Sequence, residues 1–161
     1  MEYSELFKEL DSKKIRYLIC GGMAVNIYGI PRMTADIDLL LDFEERNISD
    51  FEKMMEELNY QPQIPFSLKN LIDKSKRIEV IKERNLIAFS FFNSVSNTMN
   101  VDVLIDVPMT FEELWNNREL RNVEDYKVHL VSINDLIELK KYSNRIQDQK
   151  DILLLSKIKN L

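Results

Sequence analysis

All three glycines of the chain fall within nine positions, at Gly21, Gly22 and Gly29, and this concentration constrains the fold more than any other feature. Glycine suits a backbone that turns sharply or comes close to a ligand. The pair follows a short β-prone run, Arg16–Cys20, and precedes Ala24–Tyr28, which can begin a helix. Strand, Gly-Gly and helix together bring backbone N–H groups and a helix N-terminus to one spot, which suits a phosphate. Beyond Gly29, Asp36 and Asp38 flank Ile37 at the head of the apolar run Leu39-Leu40-Leu41. Strand side chains alternate with period two, so these carboxylates share one face. Side by side in an apolar strand, they repel each other and lose hydration unless a cation lies between them. A divalent metal that prefers oxygen ligands is the simplest such cation.

The 161 residues fit one domain, with no repeat, low-complexity tract or interdomain linker. The expectation is therefore a single domain over 1–161, with 132–161 a C-terminal helical extension packed on it. No apolar run approaches the roughly 20 residues that span a bilayer. The opening MEYSELFKEL is amphipathic and acidic, unlike a signal peptide. One cysteine, Cys20, excludes an internal disulfide framework and suits a reducing compartment, so a cytoplasmic protein is expected. The net charge of −5 argues against a broad nucleic-acid-binding surface. Residues 69–84 carry six basic and three acidic side chains, which read as a solvated helix face.

Along the chain, apolar spacing predicts a helix over 3–14, a strand at Arg16–Cys20, and a helix that Pro31 stops near Tyr28-Gly29. A second strand covers about 36–42 and a helix 51–58; Pro62 and Pro65 then make a loop. Residues 66–84 fit either helix or strand. Residues 85–107 read as a hairpin in which Val101, Val103 and Ile105 share one face and Asp102 and Asp106 the other. Thr110 caps a short helix, a strand covers 126–131, Ser132 caps a helix to about Tyr142, and a last helix spans 148–160. Trp115 and the methionines read as core, and His129, alternating with Val128 and Leu130, has no catalytic role. If its strand lies beside the second one, Asp102 completes a set of three carboxylates with Asp36 and Asp38. Asp106 lies on the same face; Asp102 is preferred because it sits inside the aliphatic run.

Gly21-Gly22, thirteen intervening residues, Asp36-Ile37-Asp38-Leu39 and then Val101-Asp102-Val103 resemble the nucleotidyltransferase superfamily typified by DNA polymerase beta. The stretch Tyr28–Asp38, with Asp135-Leu136-Ile137, Lys140, Arg145, Asp148 and Asp151, is similar to its small prokaryotic branch of abortive-infection-type toxins and minimal nucleotidyltransferases. Many members carry Gly-Ser where this chain has Gly21-Gly22, and relatives in the narrower branch often carry His at the position of Tyr28.

The resemblance implies an α/β (α+β) nucleotidyltransferase fold, a mixed, partly antiparallel sheet with flanking helices. It also implies transfer of a nucleoside monophosphate from a nucleoside triphosphate such as ATP to a hydroxyl acceptor, with release of pyrophosphate. Asp36, Asp38 and Asp102 would be the catalytic and metal-binding residues, holding two Mg2+ ions, with Mn2+ as a substitute. Gly21, Gly22, Arg32, Thr34 and Lys140 would be the nucleotide-binding residues. The acceptor is left open between a partner protein, a tRNA end and a small molecule, and the further partner between a second copy and a toxin–antitoxin partner. The competing reading is a catalytically silent binding module of the same fold, an antitoxin or nucleotide sensor.

Overall fold

The computed structural model describes residues 3–161. Its elements are α1 (Ser4–Ser12), β1 (Tyr17–Cys20), α2 (Gly21–Ile27), β2 (Asp36–Leu41), α3 (Glu45–Glu57), β3 (Tyr60–Pro62), α4 (Lys74–Arg84), β4 (Ala88–Asn93), β5 (Asn100–Leu104), α5 (Phe111–Asn116), β6 (Glu119–Val123), β7 (Tyr126–Leu130), α6 (Ile133–Ser143) and α7 (Ile146–Lys159). The strands form one mixed sheet in the order β3-β4-β5-β2-β1-β7-β6. The glycine strand β1 is antiparallel to β2 and parallel to β7, whereas β2 is parallel to β5. β4 runs antiparallel to β3 and β5, and β6 antiparallel to β7. This is the mixed, partly antiparallel sheet with flanking helices that the sequence leads one to expect.

Alternation along the central strands assigns the two faces. Ile37, Leu39, Phe89, Phe91, Val101 and Val103 are buried, and Phe51 of α3 meets Phe91 edge-on with ring centroids 5.8 Å apart. The alternate residues Asp36, Asp38, Ser90 and Asp102 are only half-buried, so the same strands turn a polar row to the other face. No helix among the described residues is long and apolar enough to cross a membrane.

Several local expectations shift. α3 begins six residues before Phe51 because Glu44 caps it, accepting from Arg46 N and Asn47 N at 3.1 and 3.2 Å. Asn47 is then buried and ties the head of β1 to the tail of β2, accepting from Arg16 N and donating to the Arg16 and Asp42 carbonyls. The ambiguous stretch is a 3-10 turn at Leu68–Leu71 followed by α4, which has no buried residue. β3 and β6 carry little apolar periodicity because both lie at sheet edges. Met33 is 95% exposed, not core.

The C-terminal pair α6 and α7 is fastened by charges in its interior. Lys140, 3% exposed, reaches Asp151 at 2.8 Å and Asp148 at 3.3 Å, and both carboxylates are equally buried. Ser143 Oγ and Arg145 Nε donate to Asp148 at 2.7 and 3.0 Å, and Gln147 Nε2 donates to Asp151 at 3.0 Å. Asp148 stands at the third position of α7 and bonds back to the Arg145 cap, so the helix starts two residues earlier than the sequence indicates. Arg32, in the loop between α2 and β2, pairs with Asp151 and so ties α7 to the glycine segment. Burial opposes ionisation of both carboxylates, but these donors outweigh it and hold both below the usual carboxylate range.

Removing one partner from a buried ion pair leaves an uncompensated charge. Lys140→Met should therefore destabilise the fold by about 3–5 kcal/mol in urea denaturation. Lys141→Met, on the exposed side of the same helix, should stay within about 0.5 kcal/mol of wild type.

Candidate active site

Register places the acids. Asp38 pairs with Cys20 on one side and with Asp102 on the other, so β1, β2 and β5 set the end of the glycine strand beside two opposed carboxylates. Asp36 lies two residues earlier on the same face, opposite Asn100. Asp106 lies beyond the end of β5 and accepts from Tyr142 Oη at 2.8 Å, which leaves Asp102 opposite Asp38.

Two glycines make the close packing here feasible, each for its own reason. Gly21 has φ +62°, and a Cβ at that position would lie 1.9 Å from Asp38 Oδ2. Glycine is thus required both by the left-handed backbone and by the carboxylate resting on it. A Cβ on Gly22 would lie 2.8 Å from Thr34 Oγ1 and 3.1 Å from Arg32 Cζ, so the space of a residue-22 side chain is filled from the following loop. Thr34 Oγ1 also donates to the Asp36 carbonyl at 3.1 Å. Asn26 Oδ1 accepts from Arg32 N at 2.9 Å, and Tyr28 Oη donates to the Val131 carbonyl at 2.7 Å, which anchors the end of α2. The glycines lie within α2 itself, so the turn and the helix N-terminus coincide.

The charges at the acids are only partly compensated. Burial, then the neighbouring charges of Asp102 and Asp36, push the Asp38 carboxyl up to about 6, even though Arg145 and Lys140 pull it down. Asp36 is raised by burial and by Asp102. Burial also raises the thiol of Cys20, whose Sγ lies 3.5 Å from the Asp38 carbonyl oxygen. The three acids offer only oxygen donors, which suits a hard divalent ion. As the side chains stand, no three acidic, histidine or cysteine groups among the described residues close tightly enough to hold an ion.

The cations expected at the nucleotide are committed elsewhere. Arg32 and Lys140 meet Asp148 and Asp151, not the three site acids, and Lys140 acts on Asp38 through its charge. Ser90, opposite Asp102, is an addition that the sequence reading passed over, although the alternation of Asn85–Phe92 already puts it on the polar face. His129 accepts from Arg118 Nε at 3.0 Å and stacks on Trp115; burial and that guanidinium lower its pKa, in keeping with a packing role. A cavity of about 620 Å3 lies at the far ends of β2 and β5, between α4 and α5, and none of the three acids lines it.

The profile of the family described as nucleotidyl transferase AbiEii toxin, type IV TA system, matches residues 6–140. No curated protein matches the chain in sequence. Among solved structures, the lincosamide antibiotic adenylyltransferase LnuA, lincomycin-bound, superposes with a TM-score of 0.64 at 15% identity, covering 98% of this chain and 96% of its own. An antigenic nucleotidyltransferase-like protein from Paracoccidioides brasiliensis gives 0.59 at 20% identity, with 94% and 72% covered. ANT(2")-Ia in complex with adenylyl-2"-tobramycin gives 0.56 at 13% identity, with 94% and 87% covered. At these identities the likeness is one of fold.

A carboxyl raised from 3.8 to about 6 on folding favours the native state fully below 3.8, and that contribution is lost as pH rises through about 6. Without divalent metal, Asp38→Asn should therefore match wild type in stability below about pH 4 and exceed it by about 3 kcal/mol at pH 7. Thermal unfolding between pH 4 and 8 checks this, and added Mg2+ should narrow the gap at pH 7.

Proposed function

The chain belongs to the nucleotidyl transferase AbiEii toxin family of type IV toxin–antitoxin systems, and from that premise we propose that it transfers a nucleoside monophosphate in a divalent-metal-dependent reaction centred on Asp36, Asp38 and Asp102. The observation that carries this reading is the in-register opposition of Asp38 and Asp102 beside the Gly21 backbone. The raised carboxyl of Asp38 supports it, because a cation between these groups would relieve the charge that folding leaves only partly compensated.

The three carboxylates would hold Mg2+, with Mn2+ as a substitute, supplying neutralisation of triphosphate charge and activation of the acceptor hydroxyl. The backbone of Gly21 and Gly22 would take the triphosphate. Thr34 would provide a hydroxyl there, since its Oγ1 fills the place that a serine at position 22 would claim. Asp102 would accept the proton of the acceptor. Arg32 and Lys140 would act from behind, fixing the loop and α7 and lending positive potential, because both are already bound to carboxylates. Two proteins of the same fold, a lincosamide antibiotic adenylyltransferase bound to lincomycin and ANT(2")-Ia in complex with adenylyl-2"-tobramycin, support transfer of a nucleoside monophosphate to an acceptor molecule here.

A ligand that binds only the native state raises its stability by about 2.7 kcal/mol at a hundredfold excess over its dissociation constant. Melting curves with Mg2+ and each of ATP, CTP, GTP and UTP should show a rise for at least one nucleotide. That rise should need Mg2+ and vanish in the Asp36→Asn/Asp38→Asn double variant. No rise with any nucleotide would contradict the donor site.

A further inference from the structure

α7 turns its acids inward and its aliphatic side chains outward. Its two acids, Asp148 and Asp151, are each 1% exposed, and with Leu155 they make up its buried side. At 3.6 residues per turn, the side opposite these three holds Ile146, Lys150, Leu153, Leu154 and Lys157. Ile146 is 77% exposed and Leu153 67%; Leu154 is exposed too, as is Leu161 just past the end of the helix. A helix packed on a globular body ordinarily turns its apolar stripe to the core. Here the anchor is ionic instead. Lys140, Arg145 and Arg32 hold the two aspartates, which leaves the aliphatic stripe facing out.

The outward stripe has a definite pattern. Ile146, Lys150, Leu153 and Lys157 follow one another at four-, three- and four-residue steps, the spacing of a coiled-coil seam, with aliphatic and lysine layers in alternation. Leu154 and Leu161 run beside it. Among the described residues, every ion pair of α7 runs through Asp148 or Asp151, so Lys150 and Lys157 have none. No exposed position of the helix carries an acid.

We propose that this stripe is a docking surface for an acidic amphipathic helix of another protein. Charge selects that occupant. Set antiparallel about Leu153–Leu154, the stripes of two copies of this chain would bring each Lys150 against the other's Lys157. Set parallel, they would put like on like, with no acid on either stripe to answer the lysines. A membrane surface fits no better. Helices that lie in a bilayer interface keep their charges on the face away from the lipid, whereas these lysines stand within the apolar stripe, on a chain of net charge −5. An acidic amphipathic helix meets both parts of the pattern. Its aliphatic residues bury Ile146, Leu153 and Leu154, and its carboxylates fix register and orientation against Lys150 and Lys157.

The test uses two labelled synthetic helices, each about four heptads long so that it keeps its shape alone. In one, leucine and glutamate alternate along the seam; the other has lysine in place of glutamate. Fluorescence anisotropy is read with wild type, Lys150→Glu/Lys157→Glu and Leu153→Ser/Leu154→Ser, exposed changes whose thermal unfolding should match wild type. Wild type should bind the glutamate helix about tenfold or more tightly than the lysine helix. Lys150→Glu/Lys157→Glu should reverse that preference, and Leu153→Ser/Leu154→Ser should weaken binding of the glutamate helix about tenfold. Equal affinity for the two helices, a preference that survives charge reversal, or binding of neither helix by wild type overturns the proposal. A wild-type dimer on a sizing column that Leu153→Ser/Leu154→Ser dissolves overturns it in favour of a second copy. Wild type that floats with phosphatidylglycerol vesicles and ignores the glutamate helix overturns it in favour of a membrane.

Discussion

Asp38 rests on the backbone of Gly21 with Asp102 directly across the strand pair, and the rest of the structure is arranged around that crowding of negative charge. A carboxylate can lie on a peptide backbone in this way only if the residue beneath has no side chain and turns through the left-handed region, which explains the glycine. The opposition of the two acids needs β2 and β5 parallel and adjacent, and that pairing places both at the mouth of β1. Their other faces are anchored by fully buried residues such as Ile37, Val101 and Val103, so the acids cannot swing away without exposing the core. Slipping either strand by one residue would move its whole apolar set to the wrong face.

The chain contains two clusters of aspartates, and they behave in opposite ways. Asp148 and Asp151 are nearly inaccessible, yet Lys140, Arg145, Arg32 and neighbouring donors hold them ionised. Asp36 and Asp38 are less buried, but their carboxyls are raised because the adjacent charges are mostly of the same sign. The first cluster is neutralised from within and fastens α7 to the loop after α2. The second has no cation in contact with it among the described residues and lies on an open sheet face, where the proposed site would take a metal ion. Arg32 belongs to the first cluster while its guanidinium carbon lies close to where a side chain on Gly22 would be, so the fastening also braces the second.

Much of this was legible in the sequence because it rests on local chemistry. The glycine cluster, the spacing of Asp36 and Asp38, the valine alternation around Asp102, and the Thr110 and Ser132 caps are all short-range signals. What escaped depends on tertiary context. β6 has no buried residue because it is an edge, and β3 is three residues long and ends in proline. Lys140 and its neighbour Lys141 look alike in sequence; only the packing of α6 on α7 turns one inward to Asp148 and Asp151 and leaves the other with Glu138. Met33 defies its residue type because it sits in the loop whose next-door Arg32 is drawn toward α7.

The central claim is that Asp36, Asp38 and Asp102 form one cation site on one sheet face. Electron paramagnetic resonance titration of Mn2+ measures this directly in wild type and Asp102→Asn, with and without nucleoside triphosphate. The account predicts that wild type binds Mn2+, that triphosphate tightens the binding, and that Asp102→Asn weakens it about tenfold or more. Equal Mn2+ binding by the two proteins would contradict it, since Asp102 would then be a strand residue and not part of the site.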